Sequence, residues 1–157
     1  MKLAIGCDEA AYELKEVIKR HLTAEQHEVV DYGTFDGKPV LYPDVGFRVA
    51  EAVAAGEFER AVLLCGTGIG MAISANKVTG VRAAQCHDTY SAERARRSNN
   101  AQIITIGARV VGPELAKAIV DRYLQSTFDG GSSEKKIALI AAYEAEHRSG
   151  ASGPEAP

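Results

Sequence analysis

The sequence predicts an α/β protein with five parallel strands and helices on both faces of the sheet. Short apolar segments alternate with segments whose apolar residues recur at helical spacing. The segment 60–65, RAVLLC, is almost uninterruptedly apolar, as is typical of a parallel strand buried on both faces. Since right-handed crossovers cover both faces of such a sheet, we expect a three-layer Rossmann-like sandwich with a five-stranded parallel sheet and a C-terminal helix.

The individual elements follow from short apolar stretches and from helix-start signals. Strands are predicted at 2–7, 28–32, 60–65, 81–86 and 103–106. Helices, two of them with a proline in the first turn, are predicted at 11–22, 42–55, from about 71, and at 90–98, 113–124 and 134–147. We expect a single domain over 1–148 and, because its residues are small, polar and rich in Pro and Gly, a disordered tail over 149–157.

Composition and charge limit the partners and the cellular setting that we expect for this protein. The 157 residues suit one domain, and the net charge of -3 comes without a block of like charges, so neither nucleic acid nor membrane is an expected partner. No apolar run approaches the roughly 20 residues that span a bilayer. Cys7, Cys65 and Cys86 form neither a CxxC pair nor a disulfide framework, which favours a reducing, cytoplasmic setting.

Reactive side chains follow four of the predicted strands. Ligands of open parallel sheets bind beyond the carboxyl ends of the strands, so residues at these ends are expected to share one site. The residues concerned are Cys7 with Asp8, Cys65, Cys86 with His87 and Asp88, and Arg109.

The glycine-rich segment 65–70, CGTGIG, is the sharpest of these signals. Its glycines let the backbone approach a ligand, and amides at a helix N-terminus stabilise negative charge. The same field favours the thiolate of Cys65. An aldose–ketose isomerase needs both functions, a base for one carbon-bound proton and donors for the resulting enediolate. We therefore expect Cys65 to be the base.

Other interpretations of this segment exist. Cys65 alone is more often a buried small hydrophobe. The glycines could bind a nucleotide phosphate, but neither G-x-x-x-x-G-K-[ST] nor G-x-G-x-x-G fits. Cys7, Cys65, Cys86 and His87 could converge on a metal, although they lack the short spacing of metal ligands. We expect neither metal nor cofactor.

Three charged candidates also have ordinary interpretations. Asp8 could merely cap the first helix. Glu9 could be a solvated acid of the first turn, and Arg109 could be a surface charge.

Seven motifs are more specific signals than composition, periodicity or single residues. They are GCDEA at 6–10, YPD at 42–44, CGTGIGM at 65–71, ANKVTGVRA at 75–83, SNNA at 98–101, IGAR at 106–109 and FDGG at 128–131. Together they resemble the ribose-5-phosphate isomerase B family, which includes galactose- and allose-phosphate isomerases. The resemblance runs from residue 2 to about 147. It implies metal-independent isomerisation of a small phosphorylated sugar, in a homodimer or a homotetramer whose subunits share active sites.

The resemblance also implies a role for each matching residue. Cys65 corresponds to the proton-abstracting cysteine, and Thr67 to a hydroxyl that assists proton movement. Asp8 and Asn99 correspond to sugar-binding residues, and Arg109 to an arginine that binds phosphate. The enediolate oxygens would be held by the amides of the loop residues Gly66, Gly68, Ile69 and Gly70.

The departures from the family pattern concern ring opening and phosphate. Glu9 and Ser98 stand at substrate-binding positions where the family usually has histidine, and the histidine replaced by Ser98 is the one assigned to opening a furanose ring. After FDGG the family often has arginines, whereas this chain has SSEKK at 132–136. Phosphate binding would then depend on Arg109 and Lys136, and lysine lacks the bidentate fork of arginine.

These changes favour a short substrate. A tetrose 4-phosphate cannot close a five-membered ring, because the oxygen that would close it carries the phosphate. Ser98 and Glu9 therefore favour erythrose or erythrulose 4-phosphate over ribose 5-phosphate, unless His87 supplies ring opening instead. The alternatives are a sugar-phosphate-binding regulator that lost its activity and a flavodoxin-like nucleotide module. The retained Cys65, Thr67 and Asp8 favour the enzyme.

Overall fold

The central sheet has five strands, all parallel, as predicted. The computed structural model describes residues 1–148, except for the side chain of Arg148, and the predicted tail over 149–157 lies outside them. The strands, in the spatial order β2-β1-β3-β5-β4, are β1 (Lys2–Cys7), β2 (Glu28–Asp31), β3 (Arg60–Cys65), β4 (Ala83–Gln85) and β5 (Ile103–Gly107).

Six α-helices connect and follow these strands. They are α1 (Tyr12–Ala24), preceded by a 3₁₀ turn at Glu9–Ala11, α2 (Tyr42–Ala54), α3 (Ile69–Ala75), α4 (Thr89–Arg97), α5 (Pro113–Gln125) and α6 (Ser132–Arg148). Prolines lie in the first turns of α2 and α5, where their missing N–H has no helical partner in any case.

One predicted strand is shorter than expected. The prediction was 81–86, but β4 covers only Ala83–Gln85. The Arg82 N–H donates to the side-chain Oε1 of Gln102 at 2.9 Å instead of to a backbone carbonyl. The edge strand therefore begins two residues later than its apolar pattern indicates.

Two hydrophobic clusters lie on opposite faces of the sheet. Side chains alternate between the faces along a strand, so Leu3 and Ile5 join one cluster whereas Ala4 joins the other. The first cluster includes apolar residues of α1, α4 and α5, and the second includes those of α2 and α3. All six residues of β3 are buried, as its sequence predicted. The result is the expected three-layer sandwich.

The strand order creates a crevice at the carboxyl edge of the sheet. β2 lies on one side of β1, and β3 lies on the other. The connection that leaves β1 and the connection that leaves β3 therefore run in opposite directions, and a crevice opens between them. The Asp8 N–H donates to the Leu64 carbonyl at 3.3 Å, which joins the ends of these two strands. Within residues 1–148, no helix is long and apolar enough to cross a membrane.

Candidate active site

The crevice brings together Asp8, Cys65, Thr67 and Arg109. Cys65 is the last residue of β3, Asp8 follows β1, and Arg109 follows β5. The Arg109 guanidinium covers Gly66 so closely that a Cβ on this glycine would lie 3.6 Å from Cζ of Arg109. The edge predicted from the sequence thus holds an acid, a thiol, a hydroxyl and a cation.

The thiol of Cys65 receives a backbone hydrogen bond. Sγ accepts the Gly68 N–H at 3.0 Å, and the side chain is 4% exposed. Gly68 has a φ of 79°, a left-handed conformation that favours glycine. An amide aimed at Sγ stabilises negative charge there, as thiolate chemistry requires.

Side chains from the neighbouring strands hold the backbone of this loop. The Thr67 carbonyl accepts a hydrogen bond from Nε2 of Gln85 at 2.7 Å, and the Gly68 carbonyl accepts one from Oγ1 of Thr105 at 2.8 Å. A Cβ on Gly107 would lie 2.7 Å from the carbonyl carbon of Thr67, so only glycine permits this close approach. The hydroxyl oxygen of Thr67 in turn accepts the Ile69 N–H at 3.3 Å, on an exposed side chain.

Asp8 occupies the N-cap position of the 3₁₀ turn at Glu9–Ala11. Its side chain makes no capping hydrogen bond to the 3₁₀ turn, and its Oδ1 is buried without a partner among the described residues. Burial and the negative charge of Glu9 raise the pKa of Asp8, while the nearby backbone amides of Ala10 and Ala11, followed by the positive charge of Arg109, oppose the rise. A buried acceptor without a partner has much to gain from a ligand hydroxyl.

Glu9 is more than a solvated acid, because it contacts the loop that follows β2. Its Oε2 accepts the Val40 N–H at 3.2 Å. The start of the same loop is fixed by Lys15, a fully buried lysine whose Nζ donates to the Thr34 carbonyl at 2.6 Å and to Asp31 Oδ2 at 2.8 Å. Glu9 is thereby held at the rim of the crevice.

The remaining residues at this edge are hydrogen-bonded or buried. Nε2 of His87 accepts the Gly107 N–H at 2.9 Å, so the lone pair of this nitrogen is engaged. Burial raises the pKa of both Cys7 and Cys86 to about 12, which keeps these thiols protonated near neutral pH. Over residues 1–148, no cluster of three or more His, Cys, Asp or Glu side chains could hold a metal ion.

Two residues proposed for the site lie elsewhere in the same chain. Ser98 and Asn99 follow α4 and precede β5, so they lie at the amino edge of the sheet, opposite Cys65. The Ser98 hydroxyl accepts a hydrogen bond from Arg94, and the Asn99 carbonyl accepts one from Nε of Arg82 at 3.0 Å.

Lys136 lies in α6. The segment that precedes α6 is held against the end of α4 by an ion pair in which Nε of Arg97 lies 3.0 Å from both carboxylate oxygens of Asp129. One chain therefore does not bring Ser98 or Asn99 to Cys65.

The structure adds two residues that the sequence analysis did not assign to the site. The Tyr42 ring lies against the loop, since a Cβ on Gly70 would approach its Cε2 to 2.5 Å. The sequence marked Tyr42 only as a helix start within the YPD motif. Gln85 supports the loop from β4, and a polar residue in an apolar strand beside the predicted site was a signal that could have identified it.

Comparison with known proteins gives a consistent family. The model of the family described as Ribose/Galactose Isomerase matches residues 3–140. Similar proteins include "Ribose-5-P isomerase B" of Listeria innocua, 50% identical over 94% of this chain and 100% of the relative. "D-erythrulose-4-phosphate isomerase" of Pectobacterium atrosepticum is 52% identical over 94% of this chain and 98% of the relative.

The solved structures agree. Ribose-5-phosphate isomerase B of Clostridium thermocellum superposes with a TM-score of 0.92 and 44% identity, covering 94% of this chain and 99% of the other. The parallel sheet and the cysteine–glycine loop at its carboxyl edge are thus accompanied by sequence similarity over nearly the whole length. The chain belongs to the ribose/galactose isomerase family.

Proposed function

We propose that this protein interconverts the aldose and ketose forms of a small phosphorylated sugar through an enediolate, without a metal or cofactor. The observation that carries the proposal is the Cys65 thiol, which is paired with the Gly68 amide and lies at the end of β3, in the same crevice as Asp8. The enzyme names of the similar proteins favour an isomerase over a binding regulator.

The reaction is a proton shift between two adjacent carbons. The Cys65 thiolate takes the proton from the carbon next to the carbonyl, and the electron pair of that C–H bond moves toward the carbonyl oxygen. The amides of Gly66 and Gly70 would stabilise the enediolate, since those of Gly68 and Ile69 donate to Cys65 Sγ and to the Thr67 hydroxyl oxygen. The Thr67 hydroxyl would relay a proton between the two enediolate oxygens. The protonated Cys65, whose S–H exchanges with solvent while the enediolate is held, then delivers a proton to the former carbonyl carbon.

Binding of the rest of the substrate would use the groups that flank the thiol. Asp8 Oδ1, buried and unpartnered among the described residues, would accept a sugar hydroxyl. Glu9, at the rim of the crevice, would contact the sugar chain. Arg109 would bind the phosphate, and Lys136 would supply additional positive charge.

A complete site requires a second copy of the chain, because Ser98 and Asn99 lie at the other edge of the sheet. A twofold axis would bring that edge of one protomer to Cys65 of its partner. Large exposed apolar side chains before α2, in α3 and in α6 support such an interface: Leu41 (72%), Ile73 (57%), Leu139 (72%) and Tyr143 (64%). We infer a homodimer, which could pair further into a homotetramer.

A complementation experiment tests the shared site. Cys65→Ala and Asn99→Ala proteins would each be nearly inactive, but unfolding and refolding them as an equal mixture should restore about a quarter of wild-type turnover, because half of the dimers would be mixed and each would hold one intact site. A mixture no more active than the separate variants would contradict the shared site.

We further propose a tetrose phosphate as the preferred substrate. Ser98 replaces the residue assigned to ring opening, and Nε2 of His87 is engaged by Gly107, so neither offers an obvious base for a cyclic sugar. Similar proteins are named for erythrulose 4-phosphate, at 52% identity, and for ribose 5-phosphate, at 50% identity, so the tetrose preference rests on Ser98 and His87. The three free cysteines are in keeping with the reducing, cytoplasmic setting that we infer.

The decisive experiment is kcat/KM for tetrose, pentose and hexose phosphates, followed by turnover in deuterated water. We expect erythrose or erythrulose 4-phosphate to be preferred and the product to carry deuterium at the carbon that receives the proton. Faster turnover of ribose 5-phosphate would refute the tetrose preference. Binding without any deuterium incorporation would refute the isomerase itself.

A further inference from the structure

The peptide group between Thr67 and Gly68 is hydrogen-bonded on both sides. Its carbonyl oxygen accepts Nε2 of Gln85 at 2.7 Å, and its N–H donates to Sγ of Cys65 at 3.0 Å. The C=O and N–H of a trans peptide point in opposite directions in one plane, so a group that fixes the carbonyl also aims the N–H. Gln85 is therefore linked to the thiol through one rigid plane.

The backbone at this point depends on such a support. Gly68, with a φ of 79°, lacks the side chain that restricts rotation of the peptide before it. The adjacent carbonyls have other donors, since the Gly66 carbonyl accepts the Arg109 N–H at 3.0 Å and the Gly68 carbonyl accepts Thr105 Oγ1 at 2.8 Å. The Gln85 amide is the side-chain donor on the peptide that contacts Cys65.

We propose that Gln85 is a positioning residue for the Cys65 base. Hydrogen bonds in a chain polarise one another, so donation to the Thr67 carbonyl strengthens the Gly68 N–H as a donor to a sulfur anion. Loss of Gln85 weakens the support of the thiolate and slows proton transfer without removing a substrate contact. The inference rests on the proposed role of Cys65.

Two substitutions separate this role from simple support of the fold. Gln85→Met keeps the length of an exposed side chain and removes its donor. Gln85→Glu keeps the shape, but the ionised carboxylate cannot donate and repels a thiolate. Gln125→Met, at an exposed glutamine of α5 away from the loop, is the matched control.

The first measurement is the rate of Cys65 alkylation by iodoacetamide as a function of pH. Cys65→Ala protein gives the background, which should be low because burial raises the pKa of Cys7 and of Cys86 to about 12. In Gln85→Met the midpoint should move to higher pH by about half a unit or more, and in Gln85→Glu further still, as expected for loss of about one hydrogen bond. Gln125→Met should keep the wild-type profile.

The second measurement is steady-state kinetics with the best substrate of the sugar-phosphate panel. For Gln85→Met we expect kcat near neutral pH to fall roughly three- to tenfold, with KM changing less than about twofold and the acid limb of the pH profile moving upward. A wild-type alkylation profile and acid limb in Gln85→Met would overturn the proposal, whether or not KM or thermal stability changes. Full turnover in Cys65→Ala would instead refute the proposed base, which the alkylation profile of Gln85→Met does not address.

Discussion

The Sγ of Cys65 and the backbone N–H of Gly68 are joined by a hydrogen bond of 3.0 Å at the carboxyl end of β3. Burial raises the pKa of Cys7 and of Cys86 to about 12, so these two thiols stay protonated near neutral pH. A base must lose its proton and regain it within one catalytic cycle, so an amide that supports the anion is what proton transfer by a cysteine needs.

Replacement of Cys65 by alanine should abolish nearly all turnover while sugar-phosphate binding persists. A general base contributes on the order of 100- to 10,000-fold, so kcat should fall by that factor. Kinetics and calorimetric titration with the same sugar phosphate measure the two quantities. Cys86→Ala, at a buried cysteine outside the proton-transfer group, is the control and should retain turnover. Substantial activity in Cys65→Ala would assign the base to another residue.

Substitution of Gly107 by serine should disrupt the catalytic loop. A Cβ at this position would lie 2.7 Å from the Thr67 backbone, which has to move. We expect a loss of about 1–3 kcal/mol in the free energy of unfolding, together with a large decrease in kcat. Gly112→Ser is the matched control, because a Cβ there meets nothing within 4 Å and serine suits the helix N-cap that Gly112 forms. Equal effects at the two glycines would contradict the steric argument.

Replacement of the buried Lys15 by methionine should strongly destabilise the protein. It leaves the Asp31 carboxylate and the Thr34 carbonyl without their buried donor, at a cost of about 3–5 kcal/mol. Lys19→Met removes another lysine from the same carboxylate, but Lys19 is 36% exposed, so the loss should be about 0.2–1 kcal/mol. Urea denaturation of both variants measures the difference, and similar losses would refute the importance of burial.

The contribution of Asp31 to stability should disappear in acid. Burial raises the pKa of Asp31, but the hydrogen bonds from Lys15 and Lys19 outweigh it and lower the pKa below the ordinary 3.8. The stabilisation is therefore complete above this ordinary value and is lost as the pH falls through the lower folded-state pKa. Urea denaturation of wild type and Asp31→Asn should show a difference in unfolding free energy that shrinks from about pH 5 to about pH 2. A difference that does not change with pH would contradict this.

The strands and helices were largely predictable because their signals are local. The apolar run of β3 and the prolines at 43 and 113 place three elements directly. The late start of β4 was not predictable, since it depends on the side chain of Gln102, which lies 20 positions from Arg82 in the chain.

The candidate site likewise has features that were predictable from the sequence and features that were not. Asp8, Cys65 and Arg109 were predictable as neighbours, because the carboxyl ends of parallel strands share one edge. Two contacts were not predictable from the spacing of residues in the sequence. The Gly107 amide donates to Nε2 of His87, and the Gln85 side chain donates to the Thr67 carbonyl. Both contacts depend on which way a side chain turns once the strands are aligned.

The sequence by itself determined the α/β class, the edge of the sheet that holds Cys65 and the chemistry of the cysteine–glycine loop. These follow from apolar periodicity and residue type, which are properties of short segments. The fold places Ser98 and Asn99 at the opposite edge from Cys65, because the direction of α4 carries the chain back across the sheet. Only the tertiary structure decided which amides face Sγ, since that depends on how residues distant in sequence hold the loop backbone.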